Sequence, residues 1–352
     1  MLYDTKNPHG GDIYTGNVLL DYSANTNPFG TPDCVQKAIC RAVPELHRYP
    51  DPYCRELCTA ISAFEEVPKE YILCGSGAAD LIYAYAQAVR PKTAAELAPT
   101  FCEYAQGLAR ENCRMMRYVL SEKKDFELDE GILFFLQEHR PEVLFLCNPN
   151  NPTGRLTDPI LLKKILQESA NWGMRLFIDE CFLDFSDGGI SMKPFLTEQP
   201  RLFLLKAFTK SYGMAGIRLG YCLCADAELL REMSKGEQPW NVSSLAQAAG
   251  VAALQAQTFL EKTRALVKRE RVWLTEALTD LGFRVIPSNV NYLLFRGPLG
   301  LTEALKEKGI LIRNCENYQG LCPGWYRIAV RRHEENETLM QAVREVCSWQ
   351  KT

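Results

Sequence analysis

The sequence predicts an α/β fold: a large unit built on a mostly parallel sheet, followed by a smaller α+β unit. Two observations carry this. Between residues 70 and 225, short runs that are mostly apolar on both faces alternate with helical stretches. Such runs are strands buried on both faces, joined by crossovers that cover them. After residue 242 the pattern changes to a long helical stretch and then closely spaced strands, as in an antiparallel sheet with helices on one side. At 352 residues the chain is long enough for both units.

Residues 1–30 are rich in Gly, Asn and Pro with little periodicity, and read as an extended arm. The large unit spans 31–242. Its first strand is expected at 71–74, ended by Gly75-Ser76-Gly77, with a helix at 78–89. Further strands are expected at 94–98, 115–120, 143–147, 175–178, 202–205 and 217–223. A helix at 159–172 has Asp158 as its N-cap and Pro159 in the first helical position, where a missing N–H is harmless. The smaller unit, 243–352, opens with a helix at 243–281 that bends near Phe259. Strands follow at 283–286, 292–295, 310–313 and 326–330, with helices at 301–308 and 334–349.

Composition excludes several function classes. The chain is 47% hydrophobic and 24% charged, as folded domains are. A net charge of −3 and a pI near 6.0 offer no basic face to nucleic acid or an anionic membrane. No apolar run reaches membrane-spanning length. The 14 cysteines lack the paired CxxC spacing of a zinc site, so no metal is expected. Cys74, Cys147 and Cys181 sit inside apolar runs and read as small buried hydrophobes. Residues 1–6 show no basic segment leading into an apolar one, and the expectation is a reduced, cytoplasmic protein.

The chemistry concentrates at strand ends, where open α/β sheets bind their ligands. Gly75-Ser76-Gly77 leads into a helix, whose first N–H groups can cradle an anion; a plain strand-to-helix turn has the same signature. Asn148-Pro149-Asn150-Asn151-Pro152-Thr153-Gly154 follows a strand, and Asp179 ends another. A carboxylate flanked by apolar residues must be paired to stay ionised, although one that caps a neighbouring helix would look alike. Lys210 lies in Phe208-Thr209-Lys210-Ser211-Tyr212, and Arg218 follows in Gly216-Ile217-Arg218-Leu219-Gly220. Asparagine, aspartate, lysine and arginine in this order supply what a pyridoxal phosphate site needs.

The set resembles that of fold-type I pyridoxal-phosphate enzymes. The matching branch contains histidinol-phosphate aminotransferase and L-threonine-O-3-phosphate decarboxylase, and the resemblance runs from His9 to the last strand. It implies pyridoxal 5′-phosphate carried on Lys210, with Asp179 at the pyridine nitrogen, Asn151 at the ring oxygen and Tyr104 stacked on the ring. Ala78, Ala79, Thr209 and Arg218 would hold the cofactor phosphate, with Tyr49 reaching in from a second subunit of a homodimer. Arg313 and Arg327 match the arginines that meet a substrate's anionic groups, and His9, Gly10, Gly11, Asn27 and Asn151 complete the substrate side.

Within the branch, three features resemble the decarboxylase. They are His9-Gly10-Gly11 followed by Asp21-Tyr22-Ser23-Ala24-Asn25-Thr26-Asn27, the segment Gln238-Pro239-Trp240-Asn241-Val242, and Phe182 where the aminotransferase has a tyrosine. Cys181 and Ala207 depart from the family pattern, replacing an alanine and a serine. The implied activity is decarboxylation of L-threonine O-3-phosphate to aminopropanol phosphate for cobalamin assembly. The alternatives are histidinol-phosphate transamination or serine-phosphate decarboxylation. Whichever Cα bond stands perpendicular to the ring breaks, and the sequence lists groups, not that angle.

Overall fold

The computed structural model describes residues 9–349; the first eight residues of the expected arm lie outside the described residues. The arm contributes a short strand, β1 (Leu20–Asp21). Seven strands then build one sheet: β2 (Ile72–Gly75), β3 (Thr93–Ala98), β4 (Arg114–Val119), β5 (Val143–Cys147), β6 (Arg175–Asp179), β7 (Leu202–Ala207) and β8 (Gly220–Cys224). Their order is β2-β8-β7-β6-β5-β3-β4. Pairings are parallel except where β8 runs against both β7 and β2. The mostly parallel sheet expected from the sequence is therefore present.

Strand geometry explains why these runs are apolar on both faces. Successive side chains point to opposite faces, and here both faces are covered. Leu144, Leu146, Leu176, Ile178, Leu202 and Leu204 join one core cluster; Val143, Phe145, Cys147, Phe177, Phe203 and Leu205 join the other. On the second face Phe145, Phe177 and Phe203 form a ladder across adjacent strands, with centroids 4.9 and 4.7 Å apart. Helices Ala78–Val89 and Ala227–Gly236 close that face through Leu81, Ile82, Tyr85, Leu229 and Met233. Helices Arg55–Glu65, Pro159–Trp172 and Ser244–Leu254 close the other.

The second sheet holds β9 (Arg284–Val285), β10 (Tyr292–Arg296), β12 (Arg313–Asn314) and β13 (Trp325–Ala329) in the antiparallel order β12-β13-β10-β9. β11 (Ile310–Leu311) pairs in parallel with β1, which ties the arm to this end of the molecule. Helices Gln257–Asp280, Leu301–Glu307 and His333–Trp349 pack around it, with Leu274, Leu305, Met340 and the arm's Tyr22 in one cluster.

Three segments differ from the sequence expectation. The strand expected at 217–223 starts only at Gly220, because 215–217 form a 3-10 turn and Arg218 takes a left-handed backbone conformation. The strand expected at 310–313 divides around buried Ile312, one half joining β1 and the other β13. The helix expected at 243–281 is two helices, interrupted at Gln255–Ala256 where Ala256 leaves helical geometry.

The helix Pro159–Trp172 forms where expected, and the Asp158 carboxylate accepts from the N–H groups of Ile160 and Leu161 at 2.7 and 3.2 Å. Replacing it leaves those donors to water. Asp158→Ala is expected to lower stability by about 1 kcal/mol, read as an earlier urea midpoint with an unchanged slope.

Candidate active site

Strand ends deliver the polar groups. Asp179 is the last residue of β6, Asn151 lies in the loop after β5, and the helix at Ala78 begins just after β2. Lys210 lies in the short helix Phe208–Ser211 after β7. Opposite them, β12 and β13 present Arg313 and Arg327. The two sheets and the arm thus enclose a cavity of about 330 Å³. Of the expected residues, Ala78, Ala79, Asn151, Asp179, Thr209, Lys210, Arg218, Arg313, Arg327, His9 and Gly10 line it.

Asp179 is buried. Its carboxylate accepts from the Tyr104 hydroxyl at 2.6 Å and from the Cys181 N–H at 2.9 Å. Burial still pushes its pKa above the ordinary carboxylate range, against the pull of those donors and of Lys210. Such a group is held ionised by a cation on its open side. The Lys210 amine moves the opposite way: loss of water, with Arg327 and Arg218 nearby, lowers its pKa to about 8. At pH 7 about a tenth of it is therefore a neutral nucleophile, far more than for an exposed lysine.

The anion cradle is tight. No side chain caps the helix at Ala78. Gly77 has φ +90°, and a Cβ there would lie 2.6 Å from Arg218 Nη2. A Cβ on Gly220 would lie 2.8 Å from the Ala78 nitrogen. These glycines let a guanidinium and a helix N-terminus approach one spot, the arrangement that binds phosphate. Asp80 braces the turn, accepting from the Ser76 N–H at 2.8 Å and from Asn241 Nδ2 at 3.0 Å. The Pro-Trp segment thereby supports the cradle.

Arg327 is buried where three segments meet. It donates to Asn151 Oδ1, to the Ser23 carbonyl at 2.8 Å and weakly to the Tyr318 hydroxyl at 3.4 Å. Arg313 donates to Asn317 Oδ1 at 2.7 Å and lies 5.4 Å from the Tyr318 ring centroid. Phe182 lines the cavity with its ring 5.9 Å from the Lys210 nitrogen, and also packs edge-on against Tyr292.

Four expected residues do not line the cavity. Tyr104 is fully buried beneath Asp179 and stacks on Phe145 at 5.4 Å, so Phe101 is the aromatic at the wall in its place. Asn27 donates to the Ser211 carbonyl and Thr263 Oγ1 at 2.7 and 2.9 Å, holding the arm rather than facing the cavity. The Gly11 N–H donates to Ser23 Oγ at 2.7 Å. Tyr49 is 79% exposed and stacks on Trp240, away from this chain's cavity. Sequence reasoning missed Asn25, which is 2% exposed, lines the cavity and has an Oδ1 without a hydrogen-bond partner. A second asparagine two residues before Asn27 was the available signal.

The model for aminotransferases of class I and II matches residues 17–343. The chain belongs to the class I and II aminotransferase family. It is 35% identical over 350 residues to the threonine-phosphate decarboxylase of Salmonella typhimurium, covering 96% of each chain. The histidinol-phosphate aminotransferase of Clostridium acetobutylicum superposes with a TM-score of 0.87 at 26% identity, covering 93% of this chain and 99% of that one. The L-threonine-O-3-phosphate decarboxylase of Porphyromonas gingivalis superposes with a TM-score of 0.85 at 23% identity, covering 94% and 100%. A backbone so close to both cannot choose between their reactions. Family members are pyridoxal-phosphate enzymes. The site fits that cofactor by its own chemistry: a lysine of lowered pKa, a buried carboxylate in need of a cation, and a glycine-cleared anion cradle.

Because only the neutral Lys210 amine can attack an aldehyde, cofactor uptake should be slower below a pH of about 8 and level off above it. The rate of visible absorbance gain on adding pyridoxal 5′-phosphate to cofactor-free protein measures this. A rate independent of pH across that range would show that the amine does not titrate there.

Proposed function

We propose that the chain decarboxylates L-threonine O-3-phosphate, with Lys210, Asp179 and the two cavity arginines as its working groups. The observation that carries the reading is the pair Arg313 and Arg327 on one wall, facing Lys210 across a cavity of about 330 Å³. A short substrate with a carboxylate and a phosphate needs two cationic seats close together, and guanidinium groups offer bidentate hydrogen bonds to both. The 35% identity to a threonine-phosphate decarboxylase supports the same choice.

Bound pyridoxal phosphate supplies an aldehyde that condenses with amines and a ring that accepts electrons from a bond at Cα. This chain's residues do the rest. Lys210 would hold the cofactor, and as a free amine its Nζ is placed to carry a proton. Asp179 holds a positive charge on its open side, where Tyr104 and the Cys181 N–H already fix its orientation. Arg218, Ala78, Ala79 and Thr209 would anchor the cofactor phosphate, and Asn151 would meet the ring oxygen. Arg327, clamped by Asn151 and the Ser23 carbonyl, seats one substrate anion, with Arg313 and His9-Gly10 on the other. Phe182 offers no hydroxyl to the ring oxygen, unlike the tyrosine expected of an aminotransferase.

The reading extends to assembly, organisation and location. Tyr49, exposed and turned away from its own cavity, serves the phosphate of a second copy in a homodimer. The chain divides into an arm (1–30), a large unit (31–242) and a smaller unit (243–352), a division supported by where the strands of each sheet fall. Helix Ser244–Leu254 packs back on helices Asp33–Ala42 and Arg55–Glu65 and joins the two units. Cys74, Cys147 and Cys222 form no disulfide, in keeping with a cytoplasmic site, and among the described residues no helix is long and apolar enough to cross a membrane.

Threonine phosphate should yield carbon dioxide and aminopropanol phosphate at the same rate with and without 2-oxoglutarate. Arg327→Lys should lower kcat/KM roughly 10- to 150-fold, the equivalent of about 1.5–3 kcal/mol for a charged hydrogen bond. Dependence on 2-oxoglutarate, with histidinol phosphate the better substrate, would replace decarboxylation by transamination.

A further inference from the structure

At the mouth of the cavity, metal-ligating side chains meet from two distant parts of the chain. His9 comes from the arm, while Cys102 and Glu103 open the helix Glu103–Ala109. His9 Nε2 lies 2.8 Å from Glu103 Oε1, and Cys102 Sγ lies 3.8 Å from the same oxygen. One ligand atom from each residue lies within 4.8 Å of the others. The second carboxylate oxygen, Oε2, accepts from the Tyr83 hydroxyl at 2.9 Å, which sets the direction in which Oε1 points. An ion pair needs only His9 and Glu103. The thiol beside them adds a donor of the kind that selects borderline and soft cations over magnesium or calcium.

We propose that His9, Cys102 and Glu103 bind one divalent cation of the zinc class at the cavity mouth, with water in the fourth position. Imidazole, thiolate and carboxylate are all zinc ligands, at about 2.0–2.3 Å. Around a tetrahedral ion their donor atoms stand roughly 3.2–3.8 Å apart. The His9–Glu103 contact therefore opens by about half an ångström, which a partly exposed imidazole on the arm can accommodate. Tyr83 takes the outer-shell part, orienting the carboxylate as such partners do at metal sites. Binding forms a metal–sulfur bond and releases the Cys102 thiol proton to solvent. His9 and Glu103 line the cavity, so the ion ties the arm to the rim where substrate enters. The site does not depend on which phosphorylated amine the enzyme uses.

The test is zinc binding to the holoenzyme, freed of metal with a chelator and then dialysed against buffered zinc alone. Wild type should hold one zinc per chain more than Cys102→Ala, which lacks a ligand but keeps the cofactor's colour and its turnover in zinc-free buffer. Tyr83→Phe should bind that zinc about 10- to 100-fold more weakly. Equal zinc content in wild type and Cys102→Ala overturns the proposal, as does unchanged affinity in Tyr83→Phe.

Discussion

A carboxylate buried at the end of a central strand sets the conditions for everything around it. An ionised group in an apolar interior costs far more than one hydrogen bond returns. Asp179 meets that cost with the Tyr104 hydroxyl and the Cys181 N–H, and its pKa is still pushed up. The balance must come from the cavity side, as positive charge. The same loss of water works on Lys210 with the opposite sign and turns a surface-type ammonium into an available amine. One desolvated space thus tunes two groups at once, and neither shift would survive if the cavity filled with bulk water.

The walls of the cavity meet at Arg327, which joins three separate segments. Its strand belongs to the second sheet, Asn151 follows β5 of the first, and Ser23 lies in the arm. A planar guanidinium with several donors can satisfy all three at once, which a lysine cannot. The parallel pairing of β1 with β11 holds the arm from the other side. The proposed substrate seat and the link between the two sheets therefore share one side chain.

Much of this was legible in the chain. Apolar runs such as 143–147 could only be strands covered on both faces, and the helix at 78–89 and the capped helix at 159–172 followed from local turn and cap chemistry. Lys210, Asp179, Asn151 and Arg218 were legible because each lies at or close to a strand end, where a sheet of this kind delivers its polar groups. The misses have a common cause. Whether 310–313 is one strand or two depends on two partners that compete for it, and the left-handed turn at Arg218 is set by the cradle it must reach.

Side-chain direction was the harder part. Tyr104 and Phe101 share one motif, and only packing put the tyrosine under Asp179 and the phenylalanine at the wall. Asn25 and Asn27 share another, yet the first faces the cavity and the second holds the arm. His9 and Cys102 carry no mutual signal in sequence at all, since their meeting is a consequence of the arm folding back over the rim. By itself the sequence determined the fold, the family and the reactive groups, because periodicity and strand-end motifs are local. The tertiary structure alone decided which side chains converge and what their charges become. Convergence and desolvation are set by residues far apart in the chain, and local pattern carries no record of either.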